Sequence, residues 1–287
     1  NLPMLSRAGL LRQLMSNYKI PIAVSGTHGK TTTTSMLSHI LLSGKKDPTI
    51  SVGGVLKAIG GNIRVGGSEV FVTEACEYTN SFLHFFPKIS IILNIDADHL
   101  DFFKDLDDIR HSFRKFAELL PEDGTLILNS EIPDLAGFTA GLQCHVVTFG
   151  LTDGSDYTAS GITHDEKGDA SFDVMKHGVC LGHIRLAVAG DHNISNALAA
   201  IAAADLLDVP VTAMQDGLST FTGTDRRFEY KGERNGFTII DDYAHHPTEI
   251  RASLTAAANY PHREIWCVFQ PHTFSRTKAL FSEFVDA

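Results

Sequence analysis

Residues 20–32 read IPIAVSGTHGKTT and join an apolar run to a glycine-rich turn that precedes a helical pattern. The apolar run predicts a buried strand, and the residues after the turn predict a helix. A glycine-rich loop in this position allows backbone N–H groups and a helix N-terminus to bind phosphate. The spacing departs from GxxxxGK[ST], because Val24 stands where the first glycine would fall. We predict a phosphate-binding loop, with a ligand-free strand–helix turn as the alternative.

The rest of the chain repeats this alternation, which indicates an α/β fold with a mostly parallel sheet flanked by helices. The predicted strands are Ile20–Ser25, Val70–Glu74, Ile89–Ile95, Thr125–Asn129 and Val146–Phe149. Besides the helix after the loop, the pattern predicts helices over Leu106–Leu120 and Asn196–Leu207. Short alternating segments between Tyr157 and Val188 predict a small antiparallel layer.

A polar segment with two glycines, Gly217–Arg227, precedes a second strand–helix series. In that series Phe237–Asp241 and Ile265–Phe269 predict strands, and Thr248–Asn259 and Arg276–Ala287 predict helices. We therefore predict two domains, residues 1–225, in which 1–19 form a lead-in segment, and residues 226–287. The second has only about sixty residues, few for a complete α/β domain.

The composition of the 287 residues, 43% hydrophobic and 20% charged, excludes a disordered or collagen-like chain. The net charge of -10 opposes nonspecific attraction to nucleic acid or an anionic membrane. No apolar run approaches the roughly 20 residues that cross a bilayer, and the N-terminal residues lack a signal-peptide pattern. The four cysteines have no metal-ligand spacing, which favours reduced thiols. The sequence thus predicts a cytoplasmic protein without nucleic-acid partners or membrane insertion.

Acidic and histidine residues follow two predicted strands at their carboxyl ends, where open α/β sheets bind ligands. The first group is Glu74 and Glu77, and the second is Asn94, Asp96, Asp98, His99 and Asp101. Mg²⁺ commonly accompanies nucleotide phosphates and takes one or two protein ligands. We predict that Thr31, Glu74 and His99 bind Mg²⁺, with solvated glutamates and an Asp-rich helix cap as the alternatives.

Three further polar clusters stand beside predicted helices. Residues 190–196 (GDHNISN) are typical of a helix N-cap, and an amide-rich helix start also suits a purine edge. Residues 241–247 (DDYAHHP) and 270–276 (QPHTFSR) end strands of the second domain and suit contacts with a polar substrate, although the first also suits a helix cap. Arg226 and Arg227 are either exposed charges or, opposite a phosphate loop, a candidate clamp for a phosphoryl group.

Six segments together resemble the Mur ligase family in identity and order. They are residues 26–32 (GTHGKTT), 74–77 (EACE), 94–99 (NIDADH), 192–196 (HNISN), 227–229 (RFE) and 242–245 (DYAH). The resemblance spans nearly the whole chain. It implies an N-terminal UDP-binding domain, a central ATPase domain and a C-terminal Rossmann-like domain, of which this chain lacks the first and carries only the start of the third.

Residues 25–28, 241–250 and 269–272 are most similar to family members that join L-alanine to UDP-N-acetylmuramate. The implied reaction is ATP-dependent ligation through an acyl phosphate, giving ADP and phosphate, in peptidoglycan synthesis. Two other activities stay open. One is a recycling ligase that joins a tripeptide to the same sugar nucleotide, and the other is a P-loop nucleotide-binding switch without ligation.

The resemblance also implies roles for individual residues. The implied catalytic residues are Lys30, Glu74, His99 and Arg227. The implied ATP contacts are Gly26, Thr27, His28, Gly29, Lys30, Thr31, Thr32, Asn193, Asn196, Arg227 and Asp242. The residues expected on the muramate and amino-acid side are Tyr243, His245, His272 and Arg276.

Overall fold

The computed structural model describes residues 4–287, so residues 1–3 of the predicted lead-in segment lie outside the described residues. The strands are β1 (Ile20–Ser25), β2 (Thr49–Leu56), β3 (Gly61–Arg64), β4 (Val70–Glu74), β5 (Ile89–Ile92), β6 (Thr125–Asn129), β7 (His145–Phe149), β8 (Tyr157–His164), β9 (Asp169–Lys176), β10 (Val179–Ala189), β11 (Glu229–Arg234) and β12 (Phe237–Asp241). The α-helices are α1 (Arg7–Met15), α2 (Lys30–Ser43), α3 (Leu106–Ala117), α4 (Leu135–Thr139), α5 (His192–Asp205), α6 (Val211–Ser219), α7 (Pro247–Ala258), α8 (Phe274–Ala279) and α9 (Phe281–Asp286). Short 3₁₀ segments cover Lys57–Ile59 and Tyr78–His84.

Ten strands form one sheet in the order β10-β9-β8-β7-β6-β5-β1-β4-β2-β3. Its central pairs are parallel, and antiparallel pairs lie at both edges. The predicted α/β class is confirmed. The antiparallel strands predicted between Tyr157 and Val188 are also present, and they continue the sheet beyond β7 through a pairing of Phe149 with Tyr157.

Side chains of β1 alternate between two cores, as the two-residue period of a strand requires. Ile22 and Val24 pack with residues of α2 and α5 on one face, and Ala23 packs on the other. On that second face the rings of Phe82 and Phe116 stack with centroids 4.6 Å apart. The sheet is therefore covered on both sides, which explains why its central strands are continuously apolar.

Several predicted elements agree closely with the structure, since β1, β4, β6 and β12 have the predicted bounds. The strand predicted over Ile89–Ile95 is shorter in the structure and ends at Ile92. Six further elements were not predicted from the sequence: β2, β3, β11, α1, α4 and α6.

The C-terminal unit, residues 226–287, contains a separate antiparallel pair, β11 and β12, followed by α7 to α9. The prediction of a strand over Ile265–Phe269 is wrong. Residues 265–269 form no strand in the structure, and Trp266 and Val268 are 81% and 99% exposed. The helix predicted over Arg276–Ala287 is divided into α8 and α9 at Leu280, whose φ and ψ of -112° and 26° are not helical.

Within residues 4–287, no helix combines the length and the apolar character needed to cross a membrane.

Candidate functional site

The glycine loop, residues Gly26–Gly29, connects β1 to α2 at the carboxyl edge of the sheet. Asn94, in the segment after β5, fixes it: the His28 N–H donates to Asn94 Oδ1 (2.8 Å), and Asn94 Nδ2 donates to the His28 carbonyl (3.2 Å). Gly29 has φ 82°, and a Cβ there would lie 2.5 Å from Asn196 Oδ1. Only glycine suits this position. Because α2 begins without a side-chain cap, its first N–H groups are available to an anion.

Lys30 folds back over the glycine loop. Its Nζ donates to the carbonyl oxygens of Gly26 and Thr27 and to Glu77 Oε2, the last at 3.0 Å. Burial lowers the pKa of Lys30, but the Glu77 carboxylate outweighs this and holds the pKa above its ordinary value. No individual role was predicted for Glu77, which follows a strand end and belongs to the segment 74–77. Its position three residues after Glu74 was the available signal.

Thr31 and Glu74 meet at the first turn of α2. The Thr31 hydroxyl donates to Glu74 Oε2 (3.1 Å), and the Gly53 N–H donates to Glu74 Oε1 (2.5 Å). His99 lies beside Glu77 instead, with Nε2 3.6 Å from Oε1. No group of three or more His, Cys, Asp or Glu side chains within residues 4–287 is arranged to bind a metal. The hydroxyl and carboxylate pair still fits Mg²⁺, which prefers oxygen and needs only one or two protein ligands.

A cavity of about 960 Å³ extends from the glycine loop to the C-terminal unit. On one wall Asn196 Nδ2 donates to Asn193 Oδ1 (3.1 Å), and both amides are buried. Asp242 of the C-terminal unit also lines the cavity, and its carboxylate accepts the N–H groups of Phe228 (2.7 Å) and Ala244 (2.6 Å). The structure thus brings the predicted amide cluster and the predicted Asp242 cluster to one cavity.

Arg227 also lines this cavity. Its guanidinium carbon lies 5.5 Å from the centre of the Tyr243 ring, and its Nη1 is 3.9 Å from Glu249 Oε1. Glu249 in turn reaches the glycine loop, with Oε1 3.3 Å from His28 Nδ1. No role was predicted for Glu249, whose place three residues after the N-cap of α7 is typical of helix capping.

The remaining predicted residues lie on one side of the C-terminal unit. The rings of His245 and His272 have centroids 6.2 Å apart. Arg276 forms a bidentate pair with Asp98, Nε to Oδ1 at 2.9 Å and Nη2 to Oδ2 at 3.2 Å, and its Nη1 donates to the His272 carbonyl (3.3 Å). The Arg276 and Asp98 side chains are only 8% and 7% exposed, so in this arrangement Arg276 joins two parts of the chain.

Comparisons with known proteins agree with this architecture. Residues 24–204 match the model of the Mur ligase middle domain, and residues 226–287 match that of the Mur ligase, glutamate ligase domain. The chain is 59% identical over 287 residues to a UDP-N-acetylmuramate--L-alanine ligase of Lachnospira eligens, covering 100% of this chain and 62% of that protein. It is 55% identical over 287 residues to the enzyme of the same name from Clostridium acetobutylicum, with the same coverage.

Two solved structures extend the comparison. UDP-N-acetylmuramate-alanine ligase from Thermotoga maritima has a TM-score of 0.79 and 32% identity, over 95% of this chain and 61% of that chain. The UDP-N-acetylmuramate:L-alanyl-gamma-D-glutamyl-meso-diaminopimelate ligase from Neisseria meningitides has a TM-score of 0.70 and 29% identity, over 78% of this chain and 73% of that chain. The chain spans about 62% of the length of the curated relatives named above.

The resemblance predicted from the six sequence segments is confirmed, because the middle-domain model alone matches more than half of the chain. The chain belongs to the Mur ligase family.

Proposed function

We propose that the full-length protein containing this chain joins L-alanine to UDP-N-acetylmuramate with ATP as the energy source. The observation that carries the proposal is the cavity itself, which is lined by His28 and Gly29 of the glycine loop and by Arg227 of the C-terminal unit. The 59% identity to a relative named UDP-N-acetylmuramate--L-alanine ligase supports the choice of substrates. The tripeptide-ligase activity is less well supported, since the ligase from Neisseria meningitides described above is only 29% identical to this chain.

The proposed chemistry begins with activation of a carboxylate. A muramate carboxylate oxygen attacks the γ-phosphorus of ATP, the bond to ADP breaks, and an acyl phosphate forms. The alanine amine then attacks the acyl carbon, loses a proton, and expels phosphate. Protein catalysis of such steps is mainly positioning and charge stabilisation.

The cationic groups of this chain suit that task. In the proposal, N–H groups of the glycine loop and α2 bind the phosphates, and Lys30 turns from the loop carbonyls to the β- and γ-phosphates. Arg227 stabilises the transferring phosphoryl group from the other side of the cavity. When bound, Mg²⁺ would offset charge on the phosphate oxygens, held by Thr31 and Glu74, with His99 nearby.

The other predicted contacts remain part of the proposal. Asn193 and Asn196 would donate to the purine, since each amide nitrogen carries a second N–H. Asp242 would accept from the ribose hydroxyls. Tyr243, His245, His272 and Arg276 would face the muramate and alanine, and Arg276 would have to leave Asp98 to do so.

Two broader expectations belong to the same proposal. Residues 1–225 and 226–287 would be separate domains that close on ATP, which is supported by the contacts of both with the cavity. A cytoplasmic location is supported by the four cysteines, all of which are free.

Phosphate release by the full-length protein tests the proposal. The assay contains ATP and Mg²⁺ with UDP-N-acetylmuramate and each amino acid in turn, and then with the tripeptide. Release that depends on both UDP-N-acetylmuramate and L-alanine is expected. Preference for the tripeptide would favour the recycling ligase. ATP hydrolysis that does not depend on UDP-N-acetylmuramate or on the amino acid would favour a nucleotide switch.

A further inference from the structure

Glu249, in the first turn of α7, connects three groups from different parts of the chain. Its Oε1 lies 3.3 Å from His28 Nδ1 in the glycine loop and 3.9 Å from Arg227 Nη1. Its Oε2 accepts the backbone N–H of His245 (3.0 Å). The Glu249 side chain is only 14% exposed. Capping of α7 explains the contact of Oε2 but not those of Oε1.

His28 is held from both sides by carboxylates. Its Nε2 lies 3.1 Å from Asp96 Oδ2, in an ion pair that lacks hydrogen-bond geometry, and its Nδ1 faces Glu249. Burial lowers the pKa of His28, yet the two carboxylates outweigh this and raise the pKa to about 9. At neutral pH the ring is therefore a cation, with one carboxylate partner in each part of the chain.

The backbone of His28 is held in the glycine loop by Asn94. The Asn94 side chain binds both the N–H and the carbonyl of His28. The rings of His246 and His28 have centroids 4.6 Å apart. Within residues 4–287 no carboxylate is hydrogen-bonded to His246, whose Nε2 faces the Ala97 carbonyl at 3.2 Å. Burial lowers the pKa of His246, so it adds no competing cation at neutral pH.

We propose that Glu249 is a positioning residue that binds His28 of the glycine loop and Arg227 of the C-terminal unit at once. It thereby sets the distance between His28 and Arg227 at the phosphate end of the cavity. The inference rests on the proposed function, because that function supplies the phosphoryl group between the two cations. A misplacement of about 1 Å in such an arrangement costs on the order of 100-fold in rate.

Steady-state kinetics of the full-length protein provide the first test. Glu249→Gln keeps an oxygen for the His245 N–H but removes the charge that binds His28 and Arg227. We expect kcat to fall by about 10- to 100-fold while KM for ATP rises by less than about threefold, since Lys30 and the loop N–H groups are intact. Glu249→Asp, which restores the charge, is expected to recover part of kcat. Glu283→Gln, an exposed glutamate on α9, is the matched control.

Unchanged kinetics in Glu249→Gln would overturn the proposal. So would an equal loss in Glu249→Gln and Glu249→Asp together with a lowered unfolding midpoint in both, because that pattern indicates a purely structural role.

Titration of His28 by NMR in this 287-residue chain provides a test that needs no ligation. The pKa of His28 is expected to fall in Glu249→Gln and to stay unchanged in Glu283→Gln. An unchanged His28 titration in Glu249→Gln would show that the contact is absent in solution and would overturn the proposal. A wild-type protein that does not ligate alanine would instead refute the proposed function. The contact between Glu249 and His28 would still be tested by this titration.

Discussion

Lys30 Nζ lies 3.0 Å from Glu77 Oε2, although the two residues are 47 positions apart in the chain. The Glu77 side chain is 2% exposed, so its charge depends on this one ammonium group and on His99 nearby. Lys30 therefore has a structural role besides the one proposed for it in ligation. Substitution of Lys30 affects both roles. A second substitution, at Glu77, separates the effect on stability from the effect on ligation.

We expect Lys30→Met to abolish ATP-dependent ligation by the full-length protein. It should also lower the free energy of unfolding by about 3–5 kcal/mol, because Glu77 is left as a buried, uncompensated charge. The double variant Lys30→Met/Glu77→Gln should regain most of the stability and none of the activity. Urea titration and phosphate release measure the two effects. Wild-type turnover in the double variant would refute the proposed role of Lys30.

Glu74→Gln should raise the Mg²⁺ concentration required for half-maximal activity by about tenfold or more, since even outer-shell partners of a metal contribute that much. We expect His99→Asn to act in the same direction. Mg²⁺ is titrated at saturating ATP, with the exposed Glu69→Gln as the control. An unaltered Mg²⁺ dependence in both variants would leave Glu74 and His99 with capping and packing roles only.

The stability of this chain should fall as the pH rises from neutral through about 9. The pKa of His28 is raised from 6.5 to about 9, so its stabilising charge is complete below pH 6.5 and is lost as the pH passes the folded value. The full shift corresponds to something on the order of 3 kcal/mol. Urea midpoints at several pH values measure the slope, and His28→Gln should remove it.

Three other histidines, His39, His192 and His246, do not interfere in that range. Burial lowers the pKa of each, so they stabilise the folded state above pH 6.5 and lose that contribution only at lower pH. A slope between pH 7 and 9 that persists in His28→Gln would contradict the assignment to His28.

Amide hydrogen exchange on this chain should be slower in β1 and β5 than in β12. β1 pairs with a strand on each side, whereas the pair β11–β12 forms a separate sheet in the described residues. Residues 265–269 should exchange fastest, because they belong to no strand. Equal protection of β1 and β12 would indicate that something outside residues 4–287 completes the second sheet.

The sequence by itself determined the elements whose signals are local. The bounds of β1, β4 and β6 follow from apolar runs that end at polar residues, and the glycine loop follows from glycines between a strand and a helix. The α/β class follows from the alternation of such elements. The edge strand β3 and its neighbour β2 escaped prediction because glycines and exposed positions interrupt their alternation.

Only the tertiary structure decided which charged groups meet. Glu249 pairs with His28 across 221 positions, and Arg276 pairs with Asp98 across 178. Locally, Glu249 has the pattern of a helix cap and Arg276 that of a free cation near a strand end. The sequence carries no local trace of such pairs, because an ion pair depends on where two distant elements come together. Likewise, residues 265–269 have strand composition but no strand, since a strand exists only where a neighbour accepts its hydrogen bonds.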